Sequence, residues 1–426
     1  MPEIFGAGAE VLDSGGEFQN LTAEPHCGIC CLGVFFVPRL AQTGREVMVR
    51  PMRTPGFDLV RLINTVFAPQ SGERVGIFID LPDPQEVRGL KFLSNPKLTT
   101  QRIAYEVFYR GLLERKTELP FASVDFYAYE PTGGSNLDLP TTVLDMQGKS
   151  LRLVEDVLRR LNIALYFSTF SATAPLTALA KQMGFRGATM HGCNETILAS
   201  GLARDYDEVS AKAERFRQAL TRCDDVVLEF EALGQKHRLT LELGRQEAQK
   251  SHGICRTPGE IANLPAGEIY WVPTGAHGQF PMKLKEDGTL ALMDVAGGRI
   301  RNATLLRGNA RTLEQALALF KSDPATGELG ELGLGTQVLP VAGADIQDEK
   351  VLGTVHVATG RDDHLGGPLD PTKFKERKHA THEDILFAPH KTPEINLSGV
   401  WMHKDDKEVL LIKDYQPTEF VKAVAL

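Results

Sequence analysis

The stretch SHGICRTPGE, residues 251–260, is where the texture of this 426-residue chain changes. Gly253 and Pro258 punctuate it, as glycine and proline punctuate turns and boundaries. Before it, apolar runs of strand length alternate with segments of helical period. After it, glycines and prolines become frequent and the apolar runs shorten. Read as a boundary, it predicts two domains, 1–252 and 253–426, a division that the length also suggests.

On the N-terminal side, residues 74–80 (RVGIFID), 122–129 and 163–168 read as strands, and 100–115, 151–161, 175–183 and 206–221 as helices. This alternation predicts an α/β domain whose mostly parallel sheet is covered by helices on both faces. On the C-terminal side only 312–322 carries a strong helical period, which predicts a β-rich α+β domain. There is no internal repeat and no low-complexity segment.

A net charge of −8 with 24% charged residues argues against a general polyanion-binding surface, so nucleic acid is not an expected partner. The N-terminus lacks the basic and apolar regions of a secretory signal. The longest apolar run, CCLGVFFV at 30–37, is far short of the roughly 20 residues a membrane helix needs. We expect a cytoplasmic protein without membrane contact. Its six cysteines fit that expectation. His26, Cys27, Cys30 and Cys31 contain a C-x-x-C, but no second pair follows at finger or ribbon spacing, so they read as thiols outside any site. The segment LYFSTFSATAPLTALAKQMG at 165–184 runs from strand through small residues into helix, yet carries neither G-x-G-x-x-G nor G-K-[ST]. It is expected to wall the active site and to contribute to a subunit interface.

Eight of the eleven histidines lie at or after His252, which directs the search for chemistry to the C-terminal side. In THEDILF, His382 and Asp384 are two apart, so on a strand they point to one face and reach one metal ion together, while Glu383 points away. Glu268 opens an apolar run directly after Pro-Ala-Gly, and Glu331 is the only charge in the glycine-rich passage 330–336. A lone buried carboxylate is costly unless something positive meets it, and a divalent ion would do so. With His356 these residues supply three negative charges and two neutral nitrogen donors. A bridging hydroxide would complete the balance for two divalent ions roughly 3.5 to 4 Å apart. Such mixed ligation suits zinc, cobalt or manganese. His364, His379 and His390 read as hydrogen-bonded or surface residues, the last two flanking an entrance.

In these passages the chain resembles the thermophilic metallopeptidase family typified by aminopeptidase T. The resemblance rests on NLPAGE, GELGLGT, the DEK before GTVH, H-x-A-x-G and the later His-x-Asp, in the family's order. It covers most of 253–426; the N-terminal side agrees only in coarse α/β pattern. It implies a two-domain homodimer or higher homo-oligomer with a dinuclear site whose ligands are Glu268, Glu331, His356, His382 and Asp384. Glu349 would be a further ligand or the general base. The implied reaction is hydrolysis of an amide or N-terminal peptide bond in a small molecule or short peptide.

The family's peptidases carry a tyrosine soon after the H-x-A-x-G histidine, whereas this chain has none between Tyr270 and Tyr415. Arg361 or His364, in GRDDHLGG, would stand in as donor to a developing oxyanion. The same fold also serves ring-cleaving dioxygenases acting on 2,5-dihydroxypyridine, and the alternative reading is a single Fe(II) held by His356, His382 and Asp384.

Overall fold

The run Arg74–Asp80 (β1) buries every residue after Arg74, so it has no solvent face and belongs inside a sheet covered on both sides. The computed structural model describes residues 56–284 and 287–426. The cluster of His26, Cys27, Cys30 and Cys31 and the apolar run 30–37 lie outside the described residues. After β1 come β2 (Ser123–Tyr129), β3 (Thr142–Asp145), β4 (Ser150–Arg152), β5 (Ile163–Phe167), β6 (Arg186–Thr189), β7 (Asp225–Ala232), β8 (Gln235–Glu242), β9 (Gln249–Ser251) and β10 (Ile261–Asn263).

The first sheet has the order β10-β6-β5-β1-β2-β3-β4. Its pairs from β10 to β2 are parallel, and the β3–β4 edge is antiparallel. Alternate residues of β1 feed two separate cores. Ile77 and Ile79 pack with the helix Leu59–Phe67 and with Phe108 on one face, and Phe78 packs with Tyr166 and Leu176 on the other. The rings of Phe78 and Tyr166 stack at 4.3 Å.

The helix expected at 100–115 runs over 99–114, with a wider π-helical stretch at Ala104–Tyr109. The one expected at 151–161 starts later and is not an α-helix: β4 takes its first residues, and a π-helical stretch, Leu153–Val157, and a 3-10 turn, Leu158–Arg160, follow. The cause is the turn before it. Asp145 Oδ1 accepts from the N–H groups of Gln147 and Lys149, both at 2.9 Å, and Gly148 takes a φ of 80°. That turn folds 150–152 back onto β3 as an edge hairpin.

The later strands are β11 (Glu268–Trp271), β12 (Gly275–Lys283), β13 (Leu290–Ala296), β14 (Arg299–Arg307), β15 (Leu329–Gly335), β16 (Val355–Gly360), β17 (His382–Phe387), β18 (Ile395–Lys404), β19 (Lys407–Lys413) and β20 (Gln416–Pro417). They form two antiparallel sheets, ordered β14-β13-β12-β8-β7-β18-β19-β20 and β17-β16-β15-β11-β9. Thus β7 and β8, which precede residue 252, pair with later strands, and β10, which follows it, closes the edge of the first sheet. The two antiparallel sheets share one core: Phe230, Leu239, Leu241 and Phe280 from one meet Ile269, Trp271, Leu332, Val357 and Phe387 from the other. Fully burying each such side chain contributes ~1.5–3 kcal/mol.

Among the described residues, no helix is long and apolar enough to cross a membrane.

Candidate metal centre

The five-stranded sheet is two-faced, and the alternation of its strands makes it so. Leu332 and Leu334 of β15, Val355 and Val357 of β16, and Ile385 and Phe387 of β17 point into the shared core. The residues between them, Glu331, His356, His382 and Asp384, therefore share the opposite face, joined by Glu268 at the start of β11. Pairing sets their spacing: Glu331 lies opposite Ala358, and Ala358 opposite Asp384, so a small side chain separates two carboxylates in one cross-strand row. His356 lies opposite Gly333.

Glycine is required there by space. A Cβ on Gly333 would stand 2.1 Å from Cε1 and 2.2 Å from Nε2 of His356. We expect Gly333→Ala to push that imidazole off the donor set and to weaken metal binding by ~10-fold or more, the scale of losing a ligand's support. Overpacking adds a destabilisation of ~1–3 kcal/mol. A metal titration and a thermal melt check this, and unchanged affinity would show that His356 does not bind the ion.

Glu331, His356 and Asp384 each offer a donor atom within 4.8 Å of the other two. His382 Nε2 lies 2.9 Å from Glu331 Oε2 and 3.3 Å from Asp384 Oδ1. His356 Nε2 is 3.5 Å from Glu331 Oε1 and 3.8 Å from Glu268 Oε2. His382 Nδ1 is 2.6 Å from the carbonyl oxygen of Arg361. A carbonyl only accepts, so Nδ1 carries the proton in this bond and Nε2 is the nitrogen turned to the carboxylates, the arrangement typical of a metal-bound histidine.

Electrostatics follow from packing three acids and two imidazoles out of water beside the part-exposed Asp384. Burial pulls the His356 imidazole down, but the Glu331 hydrogen bond and the charges of Glu331, Glu349 and Glu268 outweigh it and raise it to about 10. His382 rises well above the usual imidazole range because Asp384 and Glu331 outweigh its burial. Burial pushes Glu331 up, yet the same two imidazoles bring it down to about 2. For Glu349, burial prevails over the pull of Lys350, with Asp384 and Glu268 adding to the rise, and the carboxyl reaches about 7.

The donor set fits a divalent ion. Its oxygens and imidazole nitrogens are the ligands that zinc, manganese, cobalt and iron accept. Glu268 Oε2 is a buried carboxylate oxygen with no hydrogen-bond partner, a costly state that a cation relieves.

The donors face a cavity of about 330 Å³ whose other wall comes from the first sheet. Ser171 and Thr173 follow β5, His191 follows β6 and Asn263 ends β10, so this wall is the carboxyl end of the parallel strands, where α/β sheets hold ligands. Thr177 and Lys181 of the segment expected as a wall also line it.

Glu268, Glu331, Glu349, His356, His364, His382 and Asp384 all line this cavity. The His364 ring meets that of His382 edge-on at 4.9 Å, and burial brings its pKa down to about 3, so it is a neutral imidazole. Arg361 is turned elsewhere. Its guanidinium grips Asp363 at 2.6 and 3.1 Å and donates to the Asn136 carbonyl at 2.8 Å, so its link to the site is the carbonyl that holds His382. His379 binds Asp323 and His390 binds Asp348, each at 3.0 Å, and neither lines the cavity.

Lys350 escaped the sequence reading. It is 1% exposed, and its ammonium lies 2.6 Å from Glu268 Oε1 and 2.5 Å from Glu349 Oε1. Lysine is rarely buried, so nothing in DEK marks it as an interior residue.

No protein-family model and no curated protein matches the chain. Among solved structures it is similar to 2,5-dihydroxypyridine dioxygenase from Pseudomonas putida KT2440, with a TM-score of 0.52 and 13% identity over 82% of this chain and 92% of that one. It also matches AmpT from Thermus thermophilus, with a TM-score of 0.48 and 12% identity over 84% of this chain and 98% of that one. The first of these likenesses is one of fold: mixed α/β content with a mixed sheet and antiparallel sheets.

Proposed function

We propose that the protein is a metal-dependent hydrolase that cleaves an amide or N-terminal peptide bond in a small molecule or short peptide. The observation that carries this reading is geometric: the buried carboxyl group of Glu349 lines the cavity that the donor set faces, and burial pushes its pKa up. A general base works best with a pKa near the operating pH. Glu331, His356, His382 and Asp384 would hold the ion, of zinc, cobalt or manganese. A bound ion of this kind supplies Lewis acidity, which polarises a scissile carbonyl and acidifies the attacking water. Glu349 takes the proton from that water and returns it to the leaving amine. His364, neutral and on the cavity, donates toward the developing oxyanion. The proposal extends to a homo-oligomeric enzyme in the cytoplasm.

The test is Glu349→Gln, which keeps the shape of the side chain and removes the base. We expect kcat on aminoacyl anilides to fall ~10²–10⁴-fold, the usual contribution of a general base, with the bound ion retained. The limb of the pH–rate profile near neutrality should vanish with it. A rate equal to that of the unaltered protein would end this reading.

One observation favours a second reading, a ring-cleaving dioxygenase with a single Fe(II). His356, His382 and Asp384 supply the two imidazoles and one carboxylate such iron sites use, while Glu268 and Glu349 are engaged with Lys350. Elemental analysis of the purified protein separates the two. Iron, with oxygen consumed on hydroxylated aromatic rings, selects the dioxygenase; zinc, cobalt or manganese, with anilide cleavage under nitrogen, selects the hydrolase.

A further inference from the structure

Lys350 is the one buried ammonium among the described residues that faces the donor set. A charge of this kind carries a desolvation penalty of several kcal/mol unless partners answer it. Two do: Glu268 at 2.6 Å and Glu349 at 2.5 Å, both buried themselves. The three side chains make a closed acid–base–acid group on one flank of the cavity.

We propose that Lys350 is a built-in cation standing where a second metal ion would otherwise bind, so that the centre takes one divalent ion rather than two. The inference rests on reading the donor set as a metal centre, and is independent of which reaction that centre performs.

Position supports it first. An ion ligated by Glu268 Oε1 would sit roughly 2.0–2.2 Å from that oxygen. The ammonium already holds it at 2.6 Å, and two cations on one oxygen repel strongly in a buried site. Glu268 Oε2, by contrast, has no hydrogen-bond partner and lies 3.8 Å from His356 Nε2, so it remains available to the ion held by the histidines.

Charge supports it next. Glu268, Glu331, Glu349 and Asp384 supply four negative charges and Lys350 one positive, leaving three. One divalent ion brings the group to −1, the smaller excess that leaves every carboxylate ionised and paired. Two ions bring it to +1 and require an added anion.

The ammonium is held by its two carboxylates, and the backbone that carries it is held as well. Lys350 N donates to the Gln347 carbonyl at 2.9 Å, and its own carbonyl accepts from Gln337 N at 2.8 Å. Gly335 packs against this segment so closely that a Cβ there would meet Lys350 C at 2.6 Å. The backbone of Lys350 cannot shift without moving β15.

The experiment counts ions on the full chain. Protein stripped by chelator is reloaded with Mn(II), dialysed and analysed for manganese, with electron paramagnetic resonance read on the same sample. We expect one ion per chain with the spectrum of an isolated Mn(II). In Lys350→Met, where Glu268 and Glu349 lose their cation, we expect two ions per chain and an exchange-coupled spectrum. Two coupled ions in the unaltered protein, or one ion in both proteins, would overturn the role of Lys350 and leave the metal centre standing. No ion in either would overturn the metal centre itself. Should Lys350→Met fail to fold, the unaltered protein carries the test alone: an isolated ion supports the inference and a coupled pair defeats it.

Discussion

Glu331→Ala is expected to strip the protein of its ion and its activity together. Glu331 is the hub of the site, with one carboxylate oxygen 3.5 Å from His356 Nε2 and the other 2.9 Å from His382 Nε2. Removing an outer partner of a metal ligand costs ~10–100-fold in affinity, and removing a ligand that touches both imidazoles should cost more. The strand itself should survive. Its other face, Leu332 and Leu334, stays in the core, and alanine fits a strand position opposite Ala358. Elemental analysis after dialysis, an activity assay and a thermal melt on the same preparation separate loss of metal from loss of fold. Full activity in metal-depleted Glu331→Ala would remove the metal from the mechanism.

The second large effect is one of pH. Without an ion, His356 sits at about 10 and His382 well above the usual imidazole range, so at neutral pH both carry protons that a metal must expel. Affinity should therefore rise with pH, by up to ~100-fold per unit where two protons leave, and rise less steeply once His356 has titrated near 10. Competition with a chromophoric chelator at pH values a unit apart measures the slope. Calorimetry in buffers of differing protonation enthalpy counts the protons released. A flat profile would mean that the imidazoles are neutral before the ion arrives. Stability of the ion-free protein carries the same sign information. Because the His356 pKa is raised from 6.5, its contribution is fully present below 6.5 and is lost as pH rises through about 10. Alkali should destabilise the ion-free protein more than the loaded one.

Much of this arrangement is legible in the residues. RVGIFID has no polar position between Arg74 and Asp80, which is the mark of a strand covered on both faces. The two-residue step from His382 to Asp384 places both on one side of β17, and Glu268, Glu331 and His356 gather at the same cavity. What escaped depends on pairing across the chain. Nothing near 225–242 says that β7 and β8 will join β18 and β12, because register is decided by partners more than 30 residues away. The 151–161 segment has helical period, yet the Asp145 turn before it draws its start onto β3. Nothing local marks Lys350 as an interior residue; its place is set by Glu268, 82 positions earlier. Arg361 looked like a donor to substrate because it follows H-x-A-x-G, but Asp363, two residues on, holds its guanidinium.

The two-faced sheet has a consequence for how such a protein changes over time. Its core face, Leu332, Leu334, Val355, Val357, Ile385 and Phe387, holds the sheet to its neighbour whatever stands on the other side. Substitutions among the outward residues therefore alter which ion is preferred, and which bond is broken, without touching the packing that keeps the chain folded. The core face is insulated from the site, so a lineage can exchange outward residues and keep this packing wherever each buried charge retains a partner.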